Sequence, residues 1–81
     1  MANFQLDLAD NRRQIFDYDG GSYVVYIGRA QPGALQSDAL WQIRKFTYDE
    51  SNHITNIEFA DGSSEFNKIW DNRSSYDYEP D

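Results

Sequence analysis

The 81 residues carry seven basic against fourteen acidic side chains, a formal charge of −7, and no cysteine. Phosphate backbones are gripped through Lys and Arg, so this balance argues against nucleic acid as the main ligand and against an anionic membrane as a landing surface. The missing thiols exclude a disulfide framework, a cysteine nucleophile and a cysteine-held metal, and no apolar run approaches the ~18 residues of a membrane-spanning helix.

Length predicts one domain over residues 1–81, with an extended arm at 1–11 and an acidic tail at 77–81. So short a chain stays marginal unless its core is dense or a partner completes it. Two Trp, six Tyr and five Phe supply that density, since each aromatic ring buries about 150–250 Å² when covered. The aromatic set therefore belongs to core and subunit interface rather than to a base-stacking groove.

In chain order, Phe4, Leu6 and Leu8 alternate with Gln5 and Asp7, the period of a half-buried strand. Such an arm closes its own sheet or adds to a neighbour's edge. Next, Ile15 to Tyr18 and Tyr23 to Ile27 flank Asp19-Gly20-Gly21-Ser22, which reads as a hairpin. With Gly20 and Gly21 as the central pair, Tyr18 faces Tyr23 and Phe16 faces Val25. That register gathers Phe16, Tyr18, Tyr23, Val25 and Ile27 on one face, and Ile15, Val24 and Tyr26 on the other. Gly28 to Asp38 reads as a connection, with Pro32-Gly33 at the centre of a type II turn and Leu35 as its one large apolar residue.

The longest uninterrupted aromatic and β-branched stretch is Leu40 to Tyr48. As a strand it puts Trp41 and Ile43 on one face and Leu40, Phe46 and Tyr48 on the other parity. Apolar side chains on both faces mark a central strand, or one that switches face at a bulge near Arg44-Lys45. After a turn at Asp49 to His53, a strand at Ile54 to Phe59 places Thr55, Ile57 and Phe59 on one face, and Ala60 to Ser63 ends it. Phe66, Ile69 and Trp70 then stand at i, i+3 and i+4, so one or two helical turns are expected from Ser63 or Ser64 through about Arg73, with an irregular strand as rival. On that helix Trp70 caps the sheet built by Trp41 and Ile43, and Arg73 reaches the Trp70 ring or a carboxylate such as Asp71 or Asp77. The fold class is mainly β: a small antiparallel sheet or barrel-like sandwich of four to five strands with one short C-terminal helix.

Catalytic chemistry is not expected. His53 is the only histidine and sits beside a turn, and no nucleophile elbow, metalloprotease helix or dinucleotide fingerprint occurs. Asp17-Tyr18-Asp19, Asp49-Glu50-Ser51-Asn52 and Asp77-Tyr78-Glu79 crowd oxygen ligands, yet none follows an EF-hand loop. They read as solvated turns, with no cofactor and no metal.

Tyr26 to Gly33, then Ser37 and Trp41 to Tyr48, resemble a pattern in small proteins of tailed bacteriophages. So do Phe59-Ala60-Asp61-Gly62, Phe66, Ile69 to Arg73 and Tyr76. The likeness covers most of Tyr23 to Tyr78 and leaves the arm unmatched. It implies a non-enzymatic, virion-associated structural or accessory protein, as capsid decoration or tail adaptor. Its expected partners are other virion proteins and copies of itself, a trimer above all. Alternatives are a small acidic phage protein that regulates a host protein, and a carbohydrate-binding module. The expected contact surface joins the arm to the loop, through Phe4, Leu6, Leu8, Arg29, Pro32, Gly33 and Leu35.

Overall fold

A computed structural model describes residues 12–78 of the chain. Five strands follow in order: β1 (Arg13–Asp17), β2 (Tyr26–Ala30), β3 (Ala39–Tyr48), β4 (Ile54–Phe59) and β5 (Lys68–Ile69). All pairings are antiparallel, and β1-β2-β3-β4 lie side by side in chain order. β5 pairs with the start of β3, through Ala39 to Ile69 and Trp41 to Lys68. The described strands form an open sheet rather than a closed barrel.

β3 is the axis, as its two-sided apolar pattern predicts. Its Trp41 and Ile43 are fully buried, and removing each such side chain from water stabilises the fold by about 1.5–3 kcal/mol. No bulge forms at Arg44-Lys45. The ladder is irregular instead between Thr47 and Tyr48 against β4, and between Ala39 and Trp41 against β5.

The hairpin exists, but its register is not the expected one. Phe16 pairs with Ile27 and Asp17 with Tyr26, two residues further along β2 than a Gly20-Gly21 centre requires. The tight turn is centred on Asp19 and Gly20, both at positive φ (51° and 80°), and the Gly21 N–H donates to the Tyr18 carbonyl at 2.8 Å. Ser22 to Val24 are thereby left outside the ladder. Tyr23 packs on the Tyr48 ring at 5.5 Å, and the Tyr48 hydroxyl donates to the Val24 carbonyl at 2.8 Å. This long-range hold from the end of β3 fixes where β2 begins.

The expected helix from Ser63 is also corrected. Ser63 to Asn67 is irregular, Lys68–Ile69 is strand, and a 3-10 segment begins only at Trp70 and ends at Ser75. Phe66 therefore does not share a face with Trp70; it is exposed, with the Arg12 guanidinium 5.0 Å above its ring. Trp70 nevertheless caps the sheet. Its ring lies 5.9 Å from that of Trp41, and only 4% of the residue is exposed. The gap it fills is Gly28 in β2, where an added Cβ would lie 2.5 Å from Trp70 Cε3.

Around these indoles pack Tyr26, Ala30, Ala34, Ile43, Ala60 and Tyr78. Pro32-Gly33 does form its turn, with Gly33 at φ 89° and the Ala34 N–H on the Gln31 carbonyl. That turn delivers Ala34 into the core, where the Arg13 guanidinium holds the Ala34 carbonyl at 2.6 Å. Asp61 and Asp77 clasp the end of the chain onto the sheet. The Asp61 N–H donates to the Asp77 carbonyl at 2.6 Å, and the Asp77 N–H donates to the Asp61 carboxylate at 3.1 Å.

Candidate interaction face

Side chains alternate along a strand, so the pairing register fixes what each face of the sheet carries. One face holds Ile15, Tyr26, Gly28, Trp41 and Ile43 under the loop at 31–38 and the C-terminal segment. The other carries a row that crosses all four long strands: Phe16 on β1, Ile27 on β2, Arg44 on β3 and Phe59 on β4 are successive cross-strand partners. A second pair, Phe46 and Ile57, stands beside it. On this face the Ser64 carbonyl accepts from Gln42 Nε2 at 2.7 Å.

Phe16 is 55% exposed and Ile57 49%, while Ile27 and Phe46 between them are nearly buried. Single exposed apolar residues are ordinary, and on this face the exposed large apolar side chains of the set are Phe16 and Ile57, on either side of the buried Ile27 and Phe46. Arg44 sits in the middle of this row, half-buried, with its guanidinium 5.7 Å from the Phe46 ring centre. Its Nε is sealed and makes no hydrogen bond. Burial, and then the positive charge of Arg29, push its pKa below the ordinary arginine value.

The expected contact residues are divided by the fold. Phe4, Leu6 and Leu8 lie outside the described residues. Arg29 falls within β2 on the face away from the indoles, opposite Gln14 and Gln42. Pro32, Gly33 and Leu35 belong instead to the loop over the tryptophan side, where the Leu35 carbonyl accepts from Trp41 Nε1 at 2.9 Å. Leu35 itself is 61% exposed there. The sheet thus separates Arg29 from the loop with which it was grouped.

Sequence reasoning missed Phe16, Arg44, Phe46, Ile57 and Phe59 as one surface. The signal was available in the two apolar parities of β3, one of which had to face away from the indoles.

A cleft of about 400 Å³ opens on the tryptophan side, lined by Tyr26, Lys45, Glu58, Tyr76, Asp77 and Tyr78 among others. Sugar recognition needs an open aromatic face. Here Tyr26 and Tyr78 pack on each other at 5.7 Å and are both buried, and Lys45 Nζ lies over the Tyr78 ring. The hydroxyls of Tyr76 and Tyr78 are engaged as well, by the Ile69 N–H and the Arg73 carbonyl.

The crowded carboxylates have internal work. Asp17 accepts from the Asp19 N–H and pairs with Arg73 Nε at 2.6 Å. Asp49 accepts from the N–H groups of Ser51 and His53, closing the turn before β4. Comparison with protein-family models, with curated proteins and with solved structures finds no match to this chain.

Proposed function

We propose that the chain is a non-enzymatic structural or accessory protein of a tailed-phage virion, acting through protein–protein contacts on the open face of its sheet. The observation that carries this reading is the registered row Phe16–Ile27–Arg44–Phe59 with Phe46 and Ile57 beside it. Strands of a one-layer sheet normally turn polar residues to solvent, so the exposed Phe16 and Ile57 on this side favour a partner that covers them. The sequence resemblance supports the phage setting, in which the partners are other virion proteins or further copies of the chain, with a trimer favoured. Capsid decoration and tail adaptor are its two versions, both assembled in the host cytoplasm and carried in the particle.

Mass spectrometry of purified particles tests the reading. The parent chain is expected in the particle at stoichiometric copy number, and Phe16→Ser with Ile57→Ser is expected to deplete it without lowering its melting temperature. A chain that is absent from particles but captures a host protein through the same face is a regulator, and the virion assignment then falls.

A further inference from the structure

Arg44 on β3, like its neighbour Lys45 over the Tyr78 ring, is held by an aromatic ring, whereas three other cations of the chain meet oxygen acceptors. Arg13 donates to the Ala34 carbonyl, Arg73 pairs with Asp17, and Lys68 donates to Asn67. Arg44 has only the Phe46 ring, and among the described residues no carboxylate pairs with it although the chain carries fourteen acidic side chains. With Nε sealed, the two terminal nitrogens are the donors left for an oxygen from outside, and that end of the guanidinium matches a carboxylate in bidentate geometry.

We propose that Arg44 anchors a carboxylate from an extended partner segment that lies along β3 and carries apolar side chains two residues from its acid. The proposal rests on the reading of the open face as a protein-binding surface and names the chemistry that the face selects. Apolar neighbours choose the anion: Ile27 and Phe59 flank Arg44 across the strands, and Phe46 is two residues along β3. These walls tolerate one charge that is matched on arrival and disfavour a phosphate dianion, whose desolvation is more costly. The overall charge of −7 also repels polyanions, while a single Asp or Glu on an otherwise uncharged segment meets the positive charge of Arg44. In an extended partner, residues two apart project to the same side about 6–7 Å apart, the spacing from Arg44 to Phe46 on β3. An acid over Arg44 therefore places an apolar residue over Phe46.

The test uses the isotope-labelled full chain and a peptide probe, acetyl-Thr-Leu-Thr-Glu-Thr-Leu-Thr-amide, followed by amide chemical shifts. The expected shifts fall on Ile27, Arg44, Phe46 and Phe59. Replacing the peptide Glu by Gln, or Arg44 by Gln, should each weaken binding about tenfold, and the two changes together should cost little more than either alone. Equal affinity for the Glu and Gln peptides overturns the proposal, and that comparison needs no protein variant. So does tighter binding of a phosphoserine peptide, a shift pattern centred on the Tyr26–Tyr78 cleft, or unchanged spectra at millimolar peptide. Concentration-dependent broadening of the same amides without peptide assigns the face to a second copy and also overturns it. If particle occupancy falls with Phe16→Ser and Ile57→Ser but not with Arg44→Gln, the face stands as the contact surface and only the carboxylate anchor fails.

Discussion

Gly28→Ala is the smallest change that should disturb the whole domain. The added methyl would sit 2.5 Å from Trp70 Cε3, 2.6 Å from Cζ3 and 3.1 Å from Trp41 Cε3. Carbon atoms rest at about 3.5–4.0 Å, so relief requires the Trp70 ring to retreat by roughly 1 Å. That ring has little room: it is wedged against Trp41 at 5.9 Å and under the Arg73 guanidinium at 4.7 Å. Overpacking of this kind costs about 1–3 kcal/mol, against a total of roughly 4–12 kcal/mol for a domain of this length. At about 4–8 °C per kcal/mol, the melting temperature should fall by roughly 4–24 °C. Gly21→Ala is the internal control. Its Cβ would meet only the Tyr18 carbonyl at 3.5 Å, an ordinary contact, and Gly21 is not at positive φ. It should melt within a few degrees of the parent, or slightly above it through lost freedom of the unfolded chain. Thermal melts by circular dichroism, with tryptophan fluorescence as second probe, read both. A Gly28→Ala chain that melts with the parent and keeps its tryptophan emission refutes the wedge between the indoles.

Trp70→Ala should cost about 3–5 kcal/mol, and Arg73→Ala about 1–2 kcal/mol through its lost cation–π and Asp17 contacts, so chemical denaturation should rank them in that order. Asp17 is held below its ordinary value of 3.8, first by the Asp19 N–H and then by Arg73. Its ionised form therefore contributes stability that is complete above about pH 4 and is lost as pH falls through the lower folded-state value. Asp17→Asn should accordingly lower stability at neutral pH and flatten the acid limb of the stability curve. A limb as steep as the parent's points to other carboxylates. Tyr26 and Tyr78 are pushed above 10, chiefly by burial. The folded state thus holds their protons longer than the unfolded chain, and stability is lost as pH rises above about 10. Absorbance titration should show these two tyrosines ionising only as the fold is lost.

What the sequence revealed depended on how local the cause was. Trp41 and Ile43 share a face because strand alternation demands it, and both are buried as expected. The Pro32-Gly33 turn follows from one fixed φ and one residue free to adopt positive φ. Arg73 over Trp70 follows from a three-residue spacing that also survives in a 3-10 segment, although its carboxylate is Asp17 rather than Asp71 or Asp77. The hairpin register was not local. Asp19-Gly20 and Gly20-Gly21 are both acceptable turn centres, and the contacts of Tyr48 with Tyr23 and Val24, more than twenty residues away, select the outcome. The helical stripe of Phe66, Ile69 and Trp70 failed for a related reason. β3 offers unpaired ladder positions to Lys68 and Ile69, and the notch at Gly28 takes the Trp70 ring, so tertiary pairing outweighs periodicity. That notch had its own sign, since a glycine inside a strand run marks a close approach. Reading Gly28 as the start of a loop concealed it.

β3 therefore divides the labour of the domain by parity. Trp41 and Ile43 face the indole core, and every covering element of the described fold whose contacts define that core is spent on that side: the 31–38 loop with Ala34, the turn at Ala60 and the segment from Trp70 to Tyr78. Gln42, Arg44 and Phe46 face the other way, onto the row that β1, β2 and β4 complete with Phe16, Ile27 and Phe59. On the proposed reading of this face, stability and recognition separate by residue number. Trp41 and Ile43 should move the melting temperature with little direct effect on a bound partner. Arg44 should act in the opposite sense, because its guanidinium gives the fold only a ring contact worth about 0.5–1 kcal/mol where exposed. Phe46 stands between the two, buried yet on the side proposed to bind. Its truncation should weaken both, and for that reason Phe16, 55% exposed at the outer strand, is the cleaner probe of the face.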